Sequence, residues 1–549
     1  MHRPSEDERR AVAAHFDRGY YLASNSDVRD AGIDPLTHFL ESGWREGRNP
    51  SRFFDTGYYL AKNPDVAAAG INPLLHFIWA GSQEGRQRRR PLDAFRRQLE
   101  DSVSPRVKAK RWIEGAERSP PISKTTLSDA VEISSASRGL ILSLSHDDYA
   151  RNYGGVQLVI GDEQATFSRT GWRYLHVSPA IPLPMLADPE PADDFAVSLR
   201  IDTKWTGVAR FVDLIAAVAE QRRQGIEVRC VIHHLMGFAP EFVFELLRAS
   251  GDLRPIVWIH DFFTLCPSYA LMRNDVDYCG APPPMSVACN ICSYGEERKP
   301  HLKRIREFFE AVHPSVLAPS EIALSLWRRG SGLPHAQGEA CPIARIITAP
   351  SERSTMPIPP GRPLRVAHLG ARAFLKGWSI FEDLALHLAN DGRYEFLQLG
   401  SPDSGSPLPS FIRNIPVIVD TKQRNAMVEA IAESRIDVVV SWQLCPETFS
   451  LSVHEALVGG AFVVARIGAG NVWPAVAANA PDQGCAVADE AALFGLFDGD
   501  RLREFVESSP KLRGALLPIE VTANWLRTQS TNRAQPTLSM VAEENEKDT

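Results

Sequence analysis

Glu447 and Glu455 stand eight positions apart, and the residues between them could hold a phosphate. Pro446 breaks the backbone just before the first carboxylate. Thr448 and Ser450 can cap a helix, and Leu451, Val453, His454, Ala456 and Leu457 recur at helical spacing. That places Glu455 roughly two turns inside the helix. The first turn has N–H groups without intrahelical acceptors, here around Phe449, Ser450 and Leu451, and such a helix start favours an anion. Arg372 and Lys376 follow an apolar run that ends at Gly370. An Arg can bind two phosphate oxygens and a Lys acts as a point charge, so together they suit a diphosphate. Gly154 and Gly155 open a helix after the buried run Gly139–Ser145, where a ligand can approach backbone closely. His260 and Asp261 close the apolar run that begins at Ile256. Cys266, Cys279, Cys289 and Cys292 cluster, and the last pair has a spacing common in zinc sites. Taken singly, each has a plain reading: early-helix glutamates, surface cations at a turn, glycine turn chemistry, a core histidine, four free thiols.

The elements around these residues form a pattern. Ile436–Val440 is a short apolar run, then come the loop with Glu447, the helix with Glu455, the Gly459-Gly460 stop and a second apolar run, Ala461–Ala465. This strand–loop–helix–strand unit has its loop at the carboxyl end of the first strand, where open α/β sheets bind ligands. Leu364–Gly370, Tyr394–Gly400 and Ile415–Val419 add strands to the same half. Gly139–Ser145, Arg173–Val177, Val228–His234, Ile256–Asp261 and Val312–Ser320 supply another half, with Ser320 as the cap of a following helix.

Residues 16 to 91 contain an internal repeat of period 38, with 22 of 38 paired positions identical. Each unit reads as a short helix, an Asn/Asp/Gly turn and a second helix starting at a proline. The units are expected to pack on each other or on the next domain. His38 and His76 sit beside Phe on an apolar face and read as core histidines. Asn25, Asp27, Asn63 and Asp65 read as turn and cap residues.

The chain has 549 residues, 44% hydrophobic and 23% charged, which implies several soluble domains. A net charge of −7 argues against nucleic acid as a partner. Nothing approaches the ~20 consecutive apolar residues of a membrane span, and the opening lacks a signal-peptide core. A cytoplasmic location is expected, with peripheral attachment at the inner membrane face through the basic stretch 297–309 as an option.

The carboxylate beside Pro446, the run Thr448-Phe449-Ser450-Leu451-Ser452 and the Glu455-Ala456-Leu457 helix ending in Gly459-Gly460 resemble the donor site of retaining GT-B glycosyltransferases of the "group 1" family. The resemblance spans about 139–527. It implies two Rossmann-like lobes, an α/β fold preceded here by a helical repeat region. Expected boundaries are 1–91 for the repeats, 92–137 for a linker, 138–335 for the acceptor lobe and 336–510 for the donor lobe. A helix over 511–528 crosses back, and 529–549 is a disordered tail. The resemblance further implies transfer, with retention, of a sugar from a nucleotide-diphospho-sugar donor to a glycan or lipid-linked acceptor in bacterial surface polysaccharide synthesis. His260 and Glu447 would contact the donor sugar, and Glu455 the ribose. Lys376, Arg372 and the N–H groups of Phe449, Ser450 and Leu451 would hold the diphosphate, and Gly154 and Gly155, the glycine loop between the lobes, would also bind the donor. Arg372 lies one residue later than the family pattern. No cofactor is needed for such chemistry, and a zinc on the four cysteines would be structural. Similar repeats accompany some bacterial polysaccharide glycosyltransferases, which suggests a protein partner or positioning role. An epimerase or phosphorylase on the same scaffold, or a binding scaffold without catalysis, are the alternatives.

Overall fold

The computed structural model describes residues 4–534, apart from 52, 83, 85, 90–92, 135, 190–194, 285, 349–357 and 402–407. Two α/β lobes follow a helical region.

The second lobe is a six-stranded, all-parallel sheet. Its order is Ile412–Pro416, Tyr394–Gly400, Leu364–Leu369, Val438–Ser441, Phe462–Arg466, Gly484–Val487. In chain order that is 3-2-1-4-5-6, the doubly wound arrangement whose direction reverses between Leu364–Leu369 and Val438–Ser441. Helices cover both faces, so Val438, Val439 and Val440 are all buried, which is why these strands read as continuous apolar runs.

The first lobe has eight strands, in the order Gln337–Ala340, Ser315–Ala318, Ile256–Trp258, Val228–Ile232, Gly139–Leu144, Trp172–Pro179, Ala196–Ile201, Lys204–Arg210. The first six are parallel, and the last two form an antiparallel hairpin on the edge. That hairpin lay outside the sequence expectations. Its turn is Asp202-Thr203, with Asp202 at φ 51, so it carries no Asn-Gly or Asp-Gly signal.

Crossing back occurs at 511–528, but not as one helix. Gly514–Pro518 is a strand paired antiparallel with Ala344–Thr348, and the helix is Val521–Ala534. This helix continues past 529, where the tail was expected to begin. Of that tail, 535–549 lies outside the described residues, as does the 349–357 part of the crossover.

Each repeat unit forms three short helices and a π turn. The first comprises Arg18–Ser24, Ser26–Asp30, Pro35–His38 and Phe39–Gly43. His38 Nδ1 lies 2.8 Å from the Tyr21 hydroxyl and His76 Nδ1 2.9 Å from that of Tyr59. Arg48 bonds Asn25 and Asp27, and Arg86 bonds Asn63 and Asp65. The histidines therefore brace the packing of their own units; Asn25 and Asn63 stand at helix starts but, against expectation, make no side-chain cap bond, and Asp27 and Asp65 make exposed ion pairs. The units share a core and also pack on the second lobe: Phe53 meets Phe411 edge-on, and Arg88 and Arg89 pair with Asp383. The linker holds three helices, Asp93–Asp101, Pro105–Gly115 and Lys124–Val131.

No helix among the described residues is long and apolar enough to cross a membrane. In the basic stretch, Arg298 is buried and Arg304 pairs with Glu241 at 2.6 Å, so part of its charge is used within the fold.

Candidate active site

The carboxyl ends of both sheets face a cleft of about 460 Å³, within the usual range for a small-molecule site. Gly154, Gly155 and His260 line it from the first lobe. Lys376, Glu447, Phe449, Ser450, Leu451 and Glu455 line it from the second. Thus nine of the residues singled out by type and spacing meet in one place. Arg372 is not on this lining; Ala371 is.

Local geometry explains the arrangement. Lys376 ends the 3₁₀ turn Phe374–Lys376, and Gly377 follows at φ 76. A Cβ there would meet the Trp442 carbonyl oxygen at 1.9 Å. Only glycine lets this turn lie against the 442–447 loop, where Leu444 N–H also donates to the Leu375 carbonyl. Lys376 Nζ consequently donates to Glu447 Oε1. Glu447 is held from behind by the turn at Gly470, φ 66, where a Cβ would meet the Glu447 carbonyl oxygen at 2.4 Å. Glu447 N–H donates to the Ala469 carbonyl, and Asn471 N–H donates to the Glu447 carbonyl.

Two helices point their N-termini at the cleft: Gly155–Arg169 from the first lobe and Leu451–Val458 from the second. Their first-turn N–H groups have no acceptors within the helix, and their dipoles add. The cap of the second helix differs from expectation. Ser450 sits in the left-handed region at φ 67 and its hydroxyl makes no cap bond. That hydroxyl is buried without a partner among the described residues. The Thr448 hydroxyl also caps nothing; it donates across the cleft to the His260 carbonyl at 2.8 Å. Ser320 caps its helix as expected, and its hydroxyl donates to the Thr448 carbonyl at 2.6 Å, joining the lobes. Strain and an unsatisfied hydroxyl are typical of functional backbone.

The electrostatics are divided. Burial opposes the Lys376 charge, but Glu447 more than offsets this and keeps its pKa above the usual lysine value. Burial pushes the Glu455 carboxyl up to about 7, against the pull of Arg424. Burial, then the neighbouring His233, His234 and His146, holds His260 well below the usual histidine value, so it is neutral. The cleft thus combines a fixed cation, two helix starts and a carboxyl that titrates near neutrality.

Similar solved structures include HepE of Anabaena in complex with UDP-glucose, at 16% identity and TM-score 0.43, covering 72% of this chain and 100% of that one. WaaG, a glycosyltransferase involved in lipopolysaccharide biosynthesis, is 11% identical at TM-score 0.39, covering 67% and 94%. A glycosyltransferase from Rickettsia africae is 11% identical at TM-score 0.40, covering 72% and 100%. No family model matches the chain. No curated protein matches it either.

Sequence reasoning missed three participants. Arg424 lies 2.9 Å from Asp162 of the first lobe, an ion pair across the lobes close to Glu455. His233 lies 3.0 Å from His260, and Glu163 lies behind His233. A visible signal existed for His233: the pair His233-His234 ends a buried strand next to the one that ends in His260. Arg424 and Glu163 left none.

The four cysteines do come together, around a cavity of about 20 Å³, and none forms a disulfide. Burial pushes the Cys266 thiol up to about 12 and also raises that of Cys279. Arg298 Nη1 lies 3.0 Å from Cys289 Sγ. As they stand they make no metal cage: among the described residues, no group of three or more His, Cys, Asp or Glu is arranged to hold an ion.

Proposed function

We propose that this protein is a glycosyltransferase that takes a sugar from a nucleotide-diphospho-sugar donor and passes it, with retention, to a glycan or lipid-linked acceptor. The observation that carries this reading is the convergence of two helix N-termini and Lys376 on one cleft that also holds Glu447 and Glu455. A diphosphate needs concentrated positive potential, and the second-lobe helix start with Lys376 supplies it. Glu455, two turns deeper, receives the ribose hydroxyls. Glu447 receives hydroxyls of the transferred sugar and orients Lys376.

When the bond from the anomeric carbon to phosphate breaks, negative charge grows on the leaving diphosphate. Lys376 and the N–H groups at Ser450 and Leu451 are already in place to meet it, which lowers the barrier by ~2.7–4 kcal/mol for each well-aimed donor. The first lobe brings His260 and the Gly154-Gly155 helix start over the donor, and the direct bonds at Thr448 close the cleft against water. Retention, and a place in surface polysaccharide synthesis, are supported by the resemblance of the 446–460 stretch.

Calorimetry against UDP, GDP, ADP and dTDP tests the donor half of this reading. Mass analysis of products from the matching sugar nucleotides, with and without acceptor glycans, tests the transfer half. A product that forms without acceptor would instead indicate an epimerase.

A further inference from the structure

Behind His260 lies a buried line of polar groups that the reading above leaves unused. Glu163, on the helix Gly155–Arg169, is 7% exposed, and His233, at the end of the strand Val228–Ile232, is 1% exposed. Glu163 Oε1 accepts the Tyr174 hydroxyl at 2.8 Å and lies 3.3 Å from His233 Nε2. His233 Nδ1 lies 3.0 Å from His260 Nε2. The His233 and His260 rings are 11° from parallel, and His260 is 7° from parallel with Trp258. Trp258 is itself fixed by its indole N–H donating to the Thr522 hydroxyl of the crossing-back helix at 3.2 Å. The His260 ring therefore has one orientation.

With both imidazoles in the neutral form, each has one N–H and one lone pair, so the order of hydrogens along such a line is set at its anchored end. Glu163 is the anchor. Its Oε1 is an acceptor, already used as one by Tyr174, so His233 Nε2 carries the hydrogen that faces it. His233 Nδ1 is then a lone pair, and His260 Nε2 carries the hydrogen that points at it. Among the described residues His260 Nδ1 has no hydrogen-bond partner and it is not fully enclosed, while His260 itself lines the cleft. It is left as a lone pair open to the cleft.

We propose that Glu163 and His233 are positioning residues that hold His260 in the Nε2–H tautomer, so that Nδ1 meets the donor as an acceptor only and selects a sugar carrying a hydroxyl at that point. The selection half rests on the glycosyl-transfer reading; the tautomer half does not. An acceptor-only nitrogen in a dry site discriminates because a sugar lacking that hydroxyl leaves it unpaired. It also discriminates against a donor carrying an acceptor, such as a keto group, at the same place.

The tautomer is read directly by long-range ¹H–¹⁵N spectra of the full chain with ring-labelled histidine, assigned with His260→Gln. The expected result is an unprotonated Nδ1 and a protonated Nε2 on His260. A hydrogen on Nδ1 overturns the proposal, whatever the activity. The second arm uses monodeoxy analogues of the sugar nucleotide that the protein accepts. One analogue is expected to lose about tenfold or more in kcat/KM in the native chain. In Glu163→Leu and in His233→Phe that penalty should collapse, with nucleoside diphosphate affinity unchanged, and Glu163→Gln, which retains an acceptor oxygen, should restore it. A penalty that persists in both disruptive variants overturns the selection half. If Glu163→Leu fails to fold, His233→Phe carries this arm. The native spectrum needs no variant and no turnover, so a failed search for a donor would leave the tautomer decided.

Discussion

Lys376 Nζ donates to Glu447 Oε1, joining two residues 71 positions apart into an ion pair on the wall of the cleft between the lobes. Lys376 is 38% exposed on its side chain and Glu447 16%, so the cation faces the cleft while the carboxylate anchors it from within. On the proposed function a diphosphate entering here would meet a lysine whose direction is already set, which reduces the ordering cost of binding.

Lys376→Ala should therefore weaken nucleoside diphosphate binding by about tenfold or more, the value of a lost hydrogen bond to a charged group. Glu447→Gln should leave affinity closer to native and lower kcat, because it would remove the proposed sugar contact and loosen the lysine. Calorimetry and initial rates on the two variants separate these effects.

Glu455 makes the protein sensitive to pH near 7. On the proposed function ribose hydroxyls would donate to the ionised carboxylate, so nucleotide affinity should rise as pH increases through about 7 and level off above it. Binding should release a proton, detectable in buffers of different ionisation enthalpy. Stability runs the other way. Folding raises this carboxyl from the ordinary 4.5 to about 7, so its contribution is full below 4.5 and is lost as pH rises through 7. Glu455→Gln removes this loss, and should gain about 3 kcal/mol relative to the native chain between pH 4.5 and 8 in denaturant unfolding.

Ser450 stores strain at φ 67, which costs a residue with a Cβ about 1–2 kcal/mol. Ser450→Gly should raise stability by about 1 kcal/mol and reduce turnover, since the buried hydroxyl is lost and the helix start loosens. A rise in Tm with unchanged kcat would show that the hydroxyl has no part in the reaction.

Gly470→Ala should lower stability as well as turnover. A Cβ at this position would collide with the backbone of Glu447 at 2.4 to 2.5 Å, and φ 66 disfavours it further. The variant is expected to fold, to keep its far-UV spectrum and to lose most activity, because the collision displaces Glu447 and its lysine together.

Asp383 tests the docking of the repeats. It is the shared partner of Arg88 and Arg89, whose side chains are 13% and 10% exposed, and it sits on the helix that starts two residues after Lys376. Asp383→Ala leaves two enclosed guanidinium groups without their carboxylate and should cost about 3 kcal/mol. Limited proteolysis should then cut between the repeats and the first lobe sooner than in the native chain.

Much of this arrangement was legible in the sequence because it is local. Parallel strands covered on both faces must be apolar throughout, so Ile436–Val440 and Ala461–Ala465 announced themselves. The ends of such strands are where open α/β sheets bind ligands, and together with the resemblance this pointed to Lys376, Glu447, Glu455, His260 and the Gly154-Gly155 helix start, which all line one cleft. What was illegible depends on approach between distant segments. Ser450 looks like a cap by type, yet the chain passes through φ 67 there and the hydroxyl makes no cap bond. Arg372 has the right chemistry, but a one-residue displacement after Gly370 puts Ala371 on the wall. Glu163 is a mid-helix glutamate of no evident distinction until the fold sets it behind His233. The crossing-back segment was expected as one helix from the resemblance alone, and its first part is instead the strand Gly514–Pro518, paired with Ala344–Thr348.

The most direct test of the central claim is calorimetry of the full chain with nucleoside diphosphates, run on the native protein, Lys376→Ala and a Glu447→Gln, Glu455→Gln double variant. The account predicts that one of the diphosphates binds the native chain in the micromolar range, corresponding to about −8 kcal/mol, more weakly to Lys376→Ala, and that the double variant turns over none of its sugar derivatives. Binding by none of them, or full turnover by the double variant, would contradict it.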